Sequence, residues 1–254
     1  MPAVGTRPQP LVFLPGWGAV LAGFEAVLDA IDPDVEIYYL ETREKGSSRM
    51  QRGAGFSMEQ TAADLGDAAA ALGLEEHGYV LMGSSFGASV AAEALADGVL
   101  AGRLPAATVL FEPMSELWLP RGLLAASRFA PLSLVALLKP LLKRLVLAGM
   151  GAETQRRRAA LVIDGADLRK WRRAAVAMRE WSLLALAPRI TEPVVVVRTT
   201  GDRFHDASVF PRIVDALPQG ELLTRPVPES QREQLMGRLA SAYVRGDSPD
   251  KAPE

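Results

Sequence analysis

The chain of 254 residues is 49% hydrophobic and 23% charged, proportions that suit one large globular domain and exclude disorder and collagen-like structure. It contains no cysteine, which rules out disulfides, thiolate metal sites and a cysteine nucleophile; with only two histidines, His77 and His205, a histidine-rich metal centre is not expected either. Net charge is −2, yet residues 119–189 hold 14 basic and 4 acidic residues against 14 and 26 elsewhere, which marks that stretch as a segment with its own role.

Residues Met1 to Pro10 lack a basic stretch followed by an apolar run, so a cytoplasmic location is the expectation. From there to about residue 118, short β-rich runs alternate with helical patterns, as a parallel sheet with crossover helices requires. Strands are expected at Leu11 to Leu14, Val35 to Leu40, Tyr79 to Met82 and Ala106 to Phe111. Between them, Met58 to Leu72 has apolar residues at helical spacing, and Ser89 to Ala96 reads as a helix. From Leu119 to Arg189 the pattern is helical, rich in Leu, Ala and Arg, with Pro131, Lys139, Pro140, Lys143 and Arg144 interrupting every window long enough to cross a bilayer. The βα rhythm returns with Pro193 to Val197, a helix ending near Leu217, a strand near Glu221 to Val227 and a helix from Gln231 to Val244. The expected division is a core of residues 1–118 and 190–246, a helical cap at 119–189 and a flexible tail at 247–254.

Gly83-Ser84-Ser85-Phe86-Gly87 is a G-x-S-x-G lying between an expected strand and an expected helix. In that setting the middle residue is forced into a tight turn that lifts its hydroxyl above the sheet edge, and the flanking glycines avoid backbone clashes. Ser85 is therefore the candidate nucleophile; an ordinary Gly/Ser turn is the competing reading.

These features resemble the α/β-hydrolase family, and the likeness covers nearly the whole chain apart from the variable middle. Leu11 to Gly18, reading LVFLPGWG, is similar to the family's first core strand and oxyanion loop, with Pro15 where a histidine is more usual. The resemblance implies a mostly parallel sheet flanked by helices with a helical cap, a serine nucleophile at Ser85, and an oxyanion hole built from the backbone N–H groups of Trp17 and Phe86. It also implies a triad acid at Asp202, just beyond the strand at Pro193 to Val197, although Gly201-Asp202 is equally ordinary turn chemistry. Glu112, ending an earlier strand, is the alternative acid.

The base is the departure from the family pattern. The loop after the last strand, where the family carries its histidine, reads PVPESQRE over 226–233 and contains none. Loss of the base from a serine triad costs on the order of a millionfold in turnover. His77 precedes the Ser85 strand and is expected at the opposite sheet edge. His205, three residues beyond Asp202, is expected at the edge where ligands bind, and Glu229 is a weaker surrogate. Two classes of function stay open: a serine hydrolase of an ester or thioester with a non-standard or incomplete triad, or a catalytically impaired homologue that binds a ligand or partner, with a lyase or isomerase using the same pocket as a further form.

The substrate expected is a small apolar or amphiphilic molecule. Arg156-Arg157-Arg158 and the Arg169 to Arg173 cluster suit an anionic group on it or peripheral contact with an anionic membrane; the plainer account is a lid whose arginines pair with the acidic remainder of the chain. Glu41-Thr42-Arg43-Glu44-Lys45 reads as a solvated loop. No cofactor, metal or nucleic-acid partner is expected, since no phosphate-binding glycine loop, dinucleotide fingerprint or metal-ligand spacing occurs.

Overall fold

The structure, a computed structural model, describes residues 8–117, 129, 131–151, 153–202 and 205–247. Six strands form one sheet: β1 (Leu11–Leu14), β2 (Ile37–Tyr39), β3 (Val80–Ser84), β4 (Ala107–Phe111), β5 (Val194–Thr199) and β6 (Gly220–Arg225), in the order β2-β1-β3-β4-β5-β6. Every pairing is parallel, with Leu14 opposite Gly83 and Ser84 opposite Phe111. Parallel strands need crossovers, and these are supplied by α1 (Glu25–Leu28), α2 (Met58–Ala71), α3 (Phe86–Ala96) and α8 (Val209–Ala216), with α9 (Arg232–Val244) closing the chain. Between β4 and β5 lie α4 (Leu132–Ala148), α5 (Glu153–Asp164), α6 (Leu168–Ala177) and α7 (Leu183–Leu186).

The strand alternation divides the core between the two sheet faces. Val12, Leu14 and Leu81 join α2 and α3 in one cluster, while Leu11, Phe13, Val80 and Met82 join α9 in the other. α2 opens on a capping box, with Ser57 and Gln60 satisfying each other's backbone N–H. The second strand is shorter than its β-rich sequence suggests, and α3 starts at Phe86, immediately after the serine, where the sequence pattern alone places it at Ser89. The apolar residues that disclose α3 begin only at its second turn. The order of strands reverses between β1 and β3, so the loops after those two strands diverge and leave a crevice at the carboxyl edge, where open α/β sheets bind ligands. No helix among the described residues is long and apolar enough to cross a membrane. Of the expected tail, only Asp247 falls among the described residues.

Candidate active site

Ser85 sits between β3 and α3 with φ 52° and ψ −115°, a conformation that costs a non-glycine residue on the order of 1–3 kcal/mol. The strain is held by backbone bonds on both sides: Ser85 N–H donates to Phe111 O at 2.9 Å, and Ser85 O accepts from Ser89 N–H at 3.2 Å. The glycines make the turn feasible, because a Cβ on Gly83 would stand 2.4 Å from Ala88 Cα and one on Gly87 2.2 Å from Leu14 O. From Val80 to Leu95 every residue is buried except Ser85. The turn thus lifts one hydroxyl out of an otherwise closed core.

Ser85 Oγ lies 3.1 Å from His205 Nε2, and His205 Nδ1 lies 2.8 Å from Asp202 Oδ2. A carboxylate against Nδ1 requires that nitrogen to carry the proton, which leaves the Nε2 lone pair facing the serine hydroxyl. Both side chains are largely covered, 14% exposed for His205 and 3% for Asp202. The loop after β5 therefore supplies acid and imidazole together. Gly201 allows this: its Cβ would fall 2.6 Å from Glu229 N, so the loops after β5 and β6 meet backbone to backbone.

The other sequence candidates separate cleanly. His77 lies just before β3, away from the carboxyl edge, its ring 66% exposed and 3.7 Å from Glu76. Among the described residues the polar partners of the His205 ring nitrogens are Ser85 and Asp202, not Glu229. Glu112, the alternative acid, comes close, since one ligand atom each from Glu112, Asp202 and His205 lie within 4.8 Å of one another. That spacing could suit a cation, but its oxygens are already taken: Oε1 accepts from Thr199 Oγ1 at 2.5 Å and from Thr199 N–H, and Oε2 accepts from Arg232 Nε. Glu112 thus braces Thr199 at the end of β5, and it is Asp202 that hydrogen-bonds the imidazole.

Arg232, within the 226–233 segment that lacks the histidine, is the first residue of α9. Burial alone would lower its pKa, but Glu112, Glu233 and Asp202 together raise it above the ordinary arginine value. Glu233 in turn accepts from Gln155 at 2.7 Å and Arg158 at 2.9 Å, which ties α5 to α9 through a buried carboxylate.

On the other side of the serine, the Gly16–Gly18 loop follows β1. A Cβ on Gly16 would lie 3.6 Å from Ser85 Cβ, and Trp17 packs edge-on against Phe86 at 5.0 Å. Phe86 is the first residue of α3, so its N–H has no intrahelical acceptor. The 41–45 segment, expected to be solvated, is instead buried at Thr42, Glu44 and Lys45. Lys45 Nζ donates to Gly16 O at 3.0 Å, Thr42 Oγ1 at 2.9 Å and Glu44 Oε1 at 3.1 Å, and Glu44 Oε1 accepts from Gly18 N–H at 3.1 Å. The adjacent opposite charges satisfy each other and the glycine backbone, which is why they are inside. Nothing in the sequence beyond that Glu-Lys adjacency signalled it.

The basic helices also depart in part from expectation. Lys143 and Arg157 pair with Asp164 and Glu25, but Lys170 and Arg173 donate to backbone oxygens of the 45–54 loop, Lys170 to Lys45 O at 2.7 Å and Arg173 to Ala54 O at 2.5 Å. A cavity of about 640 Å³ is lined by residues between Glu41 and Ala54 and by Asp64, and no member of the Ser85 cluster borders it.

The model of a family described as the alpha/beta hydrolase family matches residues 11–236. Among solved structures, a hydrolase from Oleispira antarctica is similar with a TM-score of 0.76 at 14% identity, over 96% of this chain and 93% of that one. An esterase from Exiguobacterium antarcticum gives 0.72 at 18% identity, over 93% and 92%. An enol-lactonase from Burkholderia xenovorans LB400 gives 0.67 at 17% identity, over 96% and 91%. No curated protein matches the chain in sequence.

Proposed function

The chain belongs to the α/β-hydrolase family, and from that premise we propose that it is a serine hydrolase acting on an ester or thioester of a mainly apolar small molecule. The observation that carries the reading is the Ser85–His205–Asp202 chain of contacts at 3.1 and 2.8 Å. A histidine in the β5 loop within reach of the serine supports this reading over the impaired-homologue alternative, which rested on the absence of a base from the β6 loop.

In the proposed reaction Ser85 Oγ attacks the acyl carbon while His205 Nε2 takes the hydroxyl proton, and Asp202 stabilises the imidazolium that forms. The carbonyl electron pair moves onto oxygen, where the N–H groups of Trp17 and Phe86 are the proposed donors; one such donor is worth about 3 kcal/mol of barrier. The C–O or C–S bond breaks as the imidazolium returns its proton to the leaving group. Water then attacks the acyl-serine, gives a proton to His205, and the collapse returns that proton to Ser85 Oγ. The helices between β4 and β5 serve as the cap that excludes bulk water.

The test is a fluorophosphonate probe with p-nitrophenyl butyrate on the wild type, Ser85→Ala and His205→Ala. Stoichiometric labelling of Ser85, with turnover reduced on the order of a millionfold in Ser85→Ala and His205→Ala, is expected. Unlabelled protein without turnover, or full turnover in His205→Ala, would refute it.

A further inference from the structure

Arg158 reaches from α5 to the rim of the Ser85 turn. The position a Cβ would occupy on Gly16 is 3.6 Å from Ser85 Cβ and 3.9 Å from Arg158 Nη2, so guanidinium and nucleophile flank a single glycine. Three contacts fix the arginine there. Nη1 donates to Glu233 at 2.9 Å, the guanidinium carbon sits 4.3 Å over the Phe24 ring, and the stem packs against Gly23. Among the described residues no hydrogen-bond acceptor takes Nη2, although 15% of the side chain stays accessible.

The carboxylate that pairs with Arg158 also has other partners. Its carboxylate, Glu233, is shared with Gln155 and with Arg232, 3.6 Å away. Burial, and then the positive charge of Arg232, pull the Arg158 pKa down to about 10 against the pull of Glu233. A further anion would relieve both effects. Trp171 Nε1 is buried without an acceptor among the described residues, and the Trp171 ring lies against Gly18. The side chains of the helical insertion nearest Gly16 and Gly18 are thus a guanidinium and an indole, each with a donor unspent.

We propose that the site selects esters or thioesters carrying a carboxylate a few bonds from the reacting carbonyl, with Arg158 Nη2 as the group that binds it. This rests on the hydrolase reading and narrows its substrate class. A carboxylate is favoured over a phosphate because one edge of one guanidinium is on offer, which suits a monoanion.

The experiment compares monoethyl succinate with the neutral ethyl pentanoate by ethanol release, in the wild type, Arg158→Lys and Arg158→Met. Wild-type kcat/KM is expected to favour the anion, with the ratio of the two falling about tenfold to a hundredfold in Arg158→Met, the range of a charge-assisted hydrogen bond. Arg158→Lys retains part of the ratio and guards against a Met variant that unfolds. Binding is read separately in Ser85→Ala protein, by tryptophan fluorescence titration with the same two esters and with inorganic phosphate. A wild type that prefers the neutral ester, or phosphate binding as tight as the succinate ester, overturns the proposal. Absent turnover with preferential binding of the anion sinks the hydrolase reading and leaves the anion site standing.

Discussion

The most informative perturbation lies beneath the Gly16–Gly18 loop. A trans peptide points its C=O and N–H in opposite directions, so Lys45, by holding Gly16 O at 3.0 Å, sets the direction of the Trp17 N–H proposed to face the oxyanion. Lys45 is fully buried and Glu44 is 1% exposed. At 3.1 Å and an effective dielectric of 20 their attraction is about 5 kcal/mol before desolvation. Lys45→Met alone leaves the Glu44 charge buried, at a cost of about 3–5 kcal/mol in stability. Adding Glu44→Gln removes that charge and keeps an acceptor for Gly18 N–H, so the double variant should recover most of the lost stability. It lacks the ammonium on Gly16 O, and with it about 1.5–3 kcal/mol of charge-assisted hydrogen bonding. Steady-state kinetics with p-nitrophenyl butyrate should show kcat down about tenfold or more with KM within about twofold, because the loop acts on the charged transition state. Inhibition by butylboronic acid should weaken in parallel. A folded double variant with wild-type kcat and wild-type boronate affinity would refute the account of Lys45.

Three further substitutions test the scaffold. Gly18→Ala should lower stability by about 2–4 kcal/mol in a urea titration, since Gly18 has φ +59° and its Cβ would fall 2.2 Å from Trp171 Cζ2. Glu112→Gln should cost about 3–5 kcal/mol by leaving buried Arg232 without its hydrogen-bonded carboxylate and with only the more distant, shared Glu233, whereas the Glu112→Gln, Arg232→Met double variant should cost markedly less; equal losses would show the pair is not coupled. Glu93, buried beside Trp181, has its carboxyl pKa raised by burial, against a hydrogen bond from Trp181 Nε1 at 2.6 Å. A carboxyl raised on folding contributes least once pH exceeds its folded value, so Glu93→Gln should gain on the wild type at pH 8, with the gain vanishing near pH 4; denaturation at both pH values decides it.

The sheet was legible because parallel strands buried on both faces are written as short apolar runs, and Val80 to Ser84 or Val194 to Thr199 can hardly be anything else. Ser85 was legible for a different reason: steric demand leaves a mark, and only glycine fits at 83 and 87. Asp202 and His205 could be named from their place after β5, and joined as acid and candidate base, but their contact could not be fixed, because a pairing between side chains three residues apart in a loop depends on a backbone path that spacing does not define. Glu44, Lys45 and Arg232 were illegible as site neighbours, and Arg158 was legible only as one of a basic cluster that suits an anion. Charged residues read as solvated, and their burial follows from partners 26 to 120 positions away that no local pattern contains.

The position of the imidazole has a structural consequence for the β6 loop. If His205 is the base, as proposed, residues 226–233 need not supply one, and their side chains are free for another task. Arg232 takes it: its guanidinium is held by Glu112, which also accepts from Thr199, the last residue of β5. Glu233, next in sequence, receives Arg158 and Gln155 from α5. The loop that carries the base elsewhere in the family therefore fastens the β5 loop on one side and the helical insertion on the other. Glu112, Arg232 and Glu233 are buried as a set and so join the proposed triad and the proposed anion site in one frame.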